Sequence, residues 1–165
     1  MKKIYQKLLE GIPDYKEFLT VEEMNSSSKK LAEEHPESVS IFEIGQTRDG
    51  IELYCLKIGS GSHTALMFGC PHPNEPIGTM MLEYFSKRLA EDEELRKELD
   101  YTWYIVKAWD ADGLRLNEKW LKGPYTRITI QGTFSVRQGL GRWTGHFQSI
   151  TKSFISTIHF RRQRQ

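Results

Sequence analysis

The chain has 165 residues, which is room for one domain of ordinary size. Hydrophobic residues make up 38% and charged residues 27%, a composition that fits a globular domain and excludes a disordered or fibrous class. No apolar run approaches the roughly 20 residues that span a bilayer, and the net charge of +1 predicts neither a membrane nor a nucleic-acid partner. Two cysteines are too few for a disulfide scaffold, so we expect a reducing, cytoplasmic location.

The first 126 residues alternate between helical and strand patterns. Thr20 and Glu23 form a possible capping box for a helix that Pro36 ends. A second helix is predicted to begin near Pro76, with an apolar face made of Ile77, Met81, Phe85 and Leu89. Strands are predicted at residues 39–44, 51–58, 64–69 and 101–106. Such alternation is typical of an α/β sheet covered by helices.

The third of these strands differs from the others in its pattern. Residues 64–69 form a short, continuously apolar run, which is typical of a strand covered on both faces. The turn that follows places His72 and Glu75 between this strand and the next helix. Ligands of α/β proteins collect at the carboxyl ends of strands, where loops and helix amino termini converge.

His72 and Glu75 are candidate metal ligands. An imidazole and a carboxylate three residues apart can supply two of the three protein ligands of a catalytic zinc site, and Pro73 and Pro76 would stiffen the turn. About 0.7 His-x-x-acid pairs are expected by chance in a chain of this composition, so the spacing alone is weak. The alternative is a solvated turn in which both side chains cap the helix.

The context of this pair resembles the zinc carboxypeptidase family, the carboxypeptidase A-like enzymes. In that family a strand ends in a glycine-containing turn with a His-x-x-Glu pair, and a later strand runs into an Asn-Pro-Asp-Gly turn. Here Gly69-Cys-Pro-His-Pro-Asn-Glu75 and Asp110-Ala-Asp-Gly113 stand in the matching order. The upstream turn at residues 44–50 also looks like the family's Gly-x-Ser/Thr-x-x-Gly turn.

The resemblance covers residues 15–126 and implies both a fold and an activity. It implies an α/β domain with a mixed, largely parallel sheet and helices on both faces. It also implies a Zn²⁺ cofactor held by His72 and Glu75, a peptide substrate, and hydrolysis of its carboxy-terminal amino acid. A zinc-dependent acylase acting on small N-acyl amino acids, or a non-catalytic fragment, is the alternative. The sequence leaves the oligomeric state open.

The match to the family becomes thinner after the Asp-Gly turn. Trp120-Leu-Lys122 stands where the family has a Trp-Arg-Lys-like stretch, with leucine in place of the arginine. Arg115 is the nearby candidate for binding a substrate carboxylate, although it follows Gly113 closely, and a surface arginine beside a turn is the alternative. The family's third ligand and catalytic glutamate have no counterpart in the sequence, which predicts an impaired enzyme.

Charge is divided unevenly along the chain. Residues 1–126 carry all 22 acidic residues and 16 Lys and Arg, a net charge of −6, whereas residues 127–165 carry seven Lys and Arg and no acid. At the acid frequency of the first part, an acid-free stretch of this length is roughly a one-in-a-thousand event. We therefore divide the chain into the amino-terminal part of a zinc carboxypeptidase-like domain, residues 1–126, and a basic tail, residues 127–165.

A change of reading frame accounts for the tail. Suppose that each codon of the original reading frame began one base before the codon that is now read. The last two bases of each original codon are then the first two bases of the present codon. Under that rule residues 128–139 allow Tyr-Asn-Ser-Arg-Asn-Phe-Phe-Arg-Pro-Ala-Gly, which contains the Arg-Asn-aromatic sequence of the family. The alternative is a basic arm ending in residues 161–164, whose binding to nucleic acid would depend steeply on salt.

Overall fold

The computed structural model describes residues 2–125, which form a four-stranded mixed sheet with helices against both of its faces. The elements in chain order are α1 (Lys2–Leu9), α2 (Val21–Glu34), β1 (Val39–Gln46), β2 (Glu52–Ile58), β3 (His63–Phe68), α3 (Ile77–Glu91), α4 (Glu93–Leu99), β4 (Tyr101–Val106) and α5 (Ala111–Leu121). The predicted α/β class and mixed sheet are confirmed. In this part of the chain, no helix is long and apolar enough to cross a membrane.

The start of α2 is determined by side chains that satisfy its free amide groups. The Thr20 hydroxyl accepts a hydrogen bond from the Glu23 amide at 3.2 Å, and the Glu23 carboxylate accepts one from the Thr20 amide at 2.7 Å. This is the predicted capping box. The helix ends at Glu34, before Pro36, as predicted, and its apolar residues Met24 and Leu31 are buried.

The strand order β1-β2-β4-β3 places the two strands that precede the candidate site side by side. β1 pairs with β2 and β2 with β4 in antiparallel fashion, whereas β3 and β4 are parallel, so the parallel share of the described sheet is smaller than predicted. Because β3 and β4 are parallel neighbours, the two strands end at the same edge of the sheet.

Two apolar cores lie on the two faces of the sheet. One contains Phe42 and Val106 from the strands together with Leu114 and Leu121 of α5. The other contains residues of β1, β2 and β4 together with Leu82 and Leu89 of α3 and Leu95 of α4. The fold therefore holds α3 against one face and α5 against the other, on either side of the edge where β3 and β4 end.

The apolar face predicted for α3 is wrong at its first two positions. Ile77 and Met81 are exposed. The residues that α3 buries are Thr79, Met80, Leu82, Ser86, Leu89 and Ala90. These buried residues have the expected helical spacing, but they include the small polar residues Thr79 and Ser86. A sequence pattern that counts only apolar side chains therefore selects the neighbouring face of the helix.

β3 is less covered than its apolar sequence predicts. It is an edge strand of the described sheet, and Leu66 and Phe68 are 44% and 42% exposed. The other edge strand, β1, carries Glu43 and an irregularity in pairing between Glu43 and Gly45, two features that discourage pairing with another chain. Among the described residues, β3 has no such charge or irregularity.

We expect the Leu66→Lys variant to reduce self-association of the full chain. A lysine on an exposed edge strand opposes edge-to-edge pairing, and residue 66 is partly exposed, so the fold can accept it. The measurement is light scattering and soluble fraction as a function of protein concentration. Ser40→Lys, at an exposed position of β1, is the control and should leave the scattering unchanged. Equal aggregation of Leu66→Lys and the wild type would contradict the expectation.

Candidate functional site

The candidate site is built on two loops that leave the sheet together. The loop after β3 carries His72 and Glu75, and the short segment after β4 leads to Asp110 at the start of α5. Main-chain hydrogen bonds join the two: the Trp109 amide donates to the Gly69 carbonyl at 2.9 Å, and the Asp110 amide donates to the Cys70 carbonyl at 3.1 Å. The two loops therefore form one hydrogen-bonded unit.

Two glycines allow these loops to approach closely. A Cβ atom at residue 69 would lie 2.6 Å from the Lys107 carbonyl oxygen and 2.9 Å from Thr79 Cα. A Cβ atom at residue 113 would lie 2.7 Å from Pro73 Cβ. All three distances are shorter than real Cβ contacts, so each of the two positions requires glycine for steric reasons. The His-x-x-Glu turn and the Asp-Gly turn, quoted separately from the sequence, are thus in direct contact.

His72 and Glu75 are brought together by the structure. The distance from His72 Nδ1 to Glu75 Oε2 is 3.0 Å, and their side chains are 70% and 62% exposed. The Glu75 amide also donates to the His72 carbonyl at 3.0 Å, which closes the turn between them. The two side chains therefore meet in solvent at the edge of the sheet rather than pointing apart.

This pair fits two positions of a zinc site. On a tetrahedral Zn²⁺ with bonds of about 2.1 Å, neighbouring ligand atoms lie about 3.4 Å apart, close to the spacing found here. An imidazole nitrogen and a carboxylate oxygen are also ligands that Zn²⁺ accepts. Within residues 2–125, no group of three His, Cys, Asp or Glu side chains could hold a metal ion, so the described residues offer a partial site.

Cys70 supports the loop rather than extending the ligand pair. It is fully buried and adopts a left-handed backbone conformation with φ of 51°. Burial, followed by the charges of Asp110 and Glu75, raises the pKa of its thiol to about 12, so the group is protonated at neutral pH. The thiol donates to the His72 carbonyl at 3.3 Å. A buried, protonated thiol is typical of a packing residue.

Two carboxylates beside the loop were not assigned a role from the sequence. Asp110 is buried and caps α5 by accepting a hydrogen bond from the Gly113 amide at 3.0 Å. Burial is the main reason that the pKa of Asp110 rises to about 6, and the nearby charge of Asp112 adds to the rise. Asp112 has one buried oxygen, Oδ1, with no hydrogen-bond partner among the described residues. The amphipathic pattern that follows Asp110 was the available signal for a capped helix.

Arg115 lies on the outer surface of α5. Its guanidinium is 3.0 Å from Glu22 Oε1 of α2, and both side chains are more than half exposed. It borders a surface depression lined by α2, α5 and residues 49–52, and that lining includes neither His72 nor Glu75. A substrate-binding role for Arg115 stays a prediction.

The family model for zinc carboxypeptidases matches residues 24–138. The chain belongs to the zinc carboxypeptidase family. Among curated relatives, mast cell carboxypeptidase A of Mus musculus is 30% identical over 111 residues, which are 62% of this chain and 27% of the relative. Zinc carboxypeptidase A 1 of Anopheles gambiae is 25% identical over 129 residues, 73% of this chain and 30% of the relative.

Solved structures of carboxypeptidases share the fold. Carboxypeptidase A from Helicoverpa armigera aligns with a TM-score of 0.55 and 19% identity over 68% of this chain and 32% of that one. Bovine thrombin-activatable fibrinolysis inhibitor, in complex with tick carboxypeptidase inhibitor, aligns with a TM-score of 0.55 and 18% identity over 62% of this chain and 34% of that one. This zinc carboxypeptidase homologue thus spans about a third or less of the relatives that it matches.

The tail of this zinc carboxypeptidase homologue lies outside the described residues. The family match ends at residue 138, twelve residues beyond the boundary predicted at 126. The out-of-frame interpretation of residues 127–165 and that boundary therefore stay predictions. So do the cytoplasmic location and the expectation of no nucleic-acid or membrane partner.

Proposed function

We propose that this chain carries the first part of a zinc carboxypeptidase site, in which His72 and Glu75 bind Zn²⁺. The observation that carries the proposal is the distance of 3.0 Å between His72 Nδ1 and Glu75 Oε2, on a solvent-facing loop held to the carboxyl edge of the sheet. Family membership supports the ligand chemistry. The activity that follows for the whole protein is removal of a carboxy-terminal amino acid from a peptide.

The chemistry that a Zn²⁺ held by His72 and Glu75 would supply is polarisation of a scissile carbonyl and a lowered pKa of a coordinated water. The residues of this chain hold the two proposed ligands in position. His72 and Glu75 are held by a turn closed through their own main chain, and Pro73 packs against Gly113 of α5. Preorganisation of this kind reduces the entropy lost when an ion binds.

We also propose that the 165-residue chain is a poor peptidase by itself. A site with two protein ligands in place of three would hold the ion weakly and place its water poorly, and residues 2–125 supply no third ligand. The assay is release of the terminal amino acid from a peptide with a free carboxylate, with and without a chelator. Robust turnover that the chelator abolishes would contradict this part of the proposal.

Zinc binding tests the ligand assignment directly. We expect His72→Ala and Glu75→Ala each to weaken Zn²⁺ binding at least about tenfold, because each removes one of two coordinating groups. The measurement is competition between the full chain and a chromophoric zinc chelator. His63→Ala is the matched control, since His63 is also exposed but lies at the start of β3, at the opposite end of that strand. Unchanged binding by His72→Ala, or an equal loss in His63→Ala, would refute the proposal.

A further inference from the structure

A buried charged side chain, that of Lys107, lies three residues before Asp110. Lys107 follows β4 directly and its side chain is 4% exposed. Its Nζ atom is 2.7 Å from Glu83 Oε2 on α3 and 3.5 Å from Ser27 Oγ on α2. The Ser27 hydroxyl donates to the other Glu83 oxygen. We call Ser27, Glu83 and Lys107 the Lys107 cluster; it joins two helices to the end of a strand.

Stability alone does not account for the Lys107 cluster. Burial lowers the pKa of Lys107, and the neighbouring Glu83 carboxylate opposes that shift. Such a buried ion pair gains about as much from Coulombic attraction as it loses from desolvation, so an apolar pair of similar volume is often equally stable. In some proteins a buried pair of this kind specifies a single arrangement of the elements that carry it.

The main chain of Lys107 makes a second connection to the same helix. Its carbonyl oxygen accepts a hydrogen bond from Thr79 Oγ1 at 2.9 Å and lies against Gly69. Thr79 and Glu83 are four residues apart and so lie on one face of α3. Lys107 therefore holds α3 at two points separated by one helical turn, which fixes both the rotation and the axial position of the helix.

The position of α3 determines where Glu75 lies. The helix begins at Ile77, two residues after Glu75, and Pro76 restricts the backbone between them. A shift of α3 along β4 would therefore move Glu75 relative to His72, whose loop is hydrogen-bonded to the segment after β4.

We propose that Lys107 is a positioning residue of the metal loop: through Glu83 and Thr79 it sets the place of α3 and so keeps the Glu75 carboxylate beside His72. The proposal goes beyond the ligand assignment, and its zinc-binding consequence rests on the proposed function.

The test is the double variant Lys107→Met with Glu83→Met, which removes both charges and keeps similar volumes. Lys87→Met with Glu91→Met is the matched control, because that pair also joins Lys to Glu on α3 but is exposed. We expect the double variant to unfold at the same urea concentration as the wild type. We also expect amide hydrogen exchange at Trp109 and Asp110 to be about tenfold faster in the double variant, with no change in the control.

Zinc affinity gives the second readout. We expect about tenfold weaker Zn²⁺ binding in the double variant, of the size found for groups that orient metal ligands. Wild-type exchange at residues 109 and 110 in the double variant overturns the proposal, whatever its zinc affinity. Absence of Zn²⁺ binding by the wild type instead refutes the proposed function, and the exchange measurement still decides the role of Lys107. If the double variant does not fold, Thr79→Val, which removes the second contact alone, must accelerate exchange at the same two amides.

Discussion

Replacing Gly69 by alanine is expected to lower the free energy of unfolding by about 3 kcal/mol, because the added Cβ has no room. It would meet main-chain atoms of both Lys107 and Thr79 at 2.6–2.9 Å, and main-chain atoms cannot rotate away as the end of a flexible side chain can. Relief requires residue 69 to move away from both Lys107 and α3, which would also displace the loop that carries His72. The measurement is urea denaturation of the full chain.

Gly78→Ala is the control and should change stability in the opposite direction. A Cβ atom there would meet only Gly69 Cα, at 4.0 Å, and residue 78 lies within α3. Alanine in a helix is favoured over glycine by roughly 0.5–1 kcal/mol, so this variant should be more stable than the wild type. Equal changes in the free energy of unfolding for the two variants would show that the backbone around residue 69 can move to accept a Cβ atom.

The second large effect is expected from Asp110→Asn, and it depends on pH. In the folded chain the pKa of Asp110 is about 6, above the ordinary value of 3.8, mainly because the carboxyl group is buried. The folded state therefore holds the proton more tightly than the unfolded state. Stability from this group is fully present below the unfolded pKa and is lost as pH rises through 6.

Asparagine keeps the cap on α5 and cannot ionise. We therefore expect the variant to match the wild type near pH 3.5 and to exceed its free energy of unfolding by about 2–3 kcal/mol at pH 7. The resemblance to the zinc carboxypeptidases points the same way, since asparagine stands at this place in the family's turn. The measurement is urea denaturation at a series of pH values.

Asp100→Asn serves as the control of opposite sign. Hydrogen bonds from the Ser62 side chain and main chain lower the pKa of Asp100, so its carboxylate stabilises the fold above the unfolded pKa and that stability is lost on acidification. Its substitution should reduce stability at neutral pH and make no difference in acid. A pH-independent difference between Asp110→Asn and the wild type would contradict the assignment of the raised pKa to Asp110.

The sequence predicts much of the fold because local patterns dominate where elements are regular. The capping box at Thr20 and the four strands each follow from short-range rules and are confirmed within a residue or two. The family resemblance, carried by the order of two turns, is confirmed by the match over residues 24–138. The spacing and family context of His72 and Glu75 predicted a pair of metal ligands. The structure shows their side chains in contact, and metal binding by them stays a prediction.

The features that the sequence did not predict depend on tertiary contacts. α4 was not predicted, and α5 begins at a motif that was interpreted as a turn. Each helix is capped by an aspartate, Asp92 or Asp110, which accepts a hydrogen bond from a main-chain amide of its own first turn. The buried face of α3 includes Thr79, whose hydroxyl donates a hydrogen bond to the carbonyl of Lys107, directly after β4. The Lys107 cluster joins residues up to 80 positions apart, a separation that no local pattern reports.

The main-chain hydrogen bonds between the two loops have a consequence for the proposed zinc site. The amides of Trp109 and Asp110 hold the carbonyls of Gly69 and Cys70 by hydrogen bonds. The backbone just before His72 is therefore positioned by main-chain hydrogen bonds and does not depend on a bound metal ion. Removal of a bound metal ion should therefore leave the two loops in place, and rebinding of the ion should be reversible. Other ions that accept nitrogen and oxygen ligands, such as Co²⁺, would then bind at the same site without a change in the conformation of the loops.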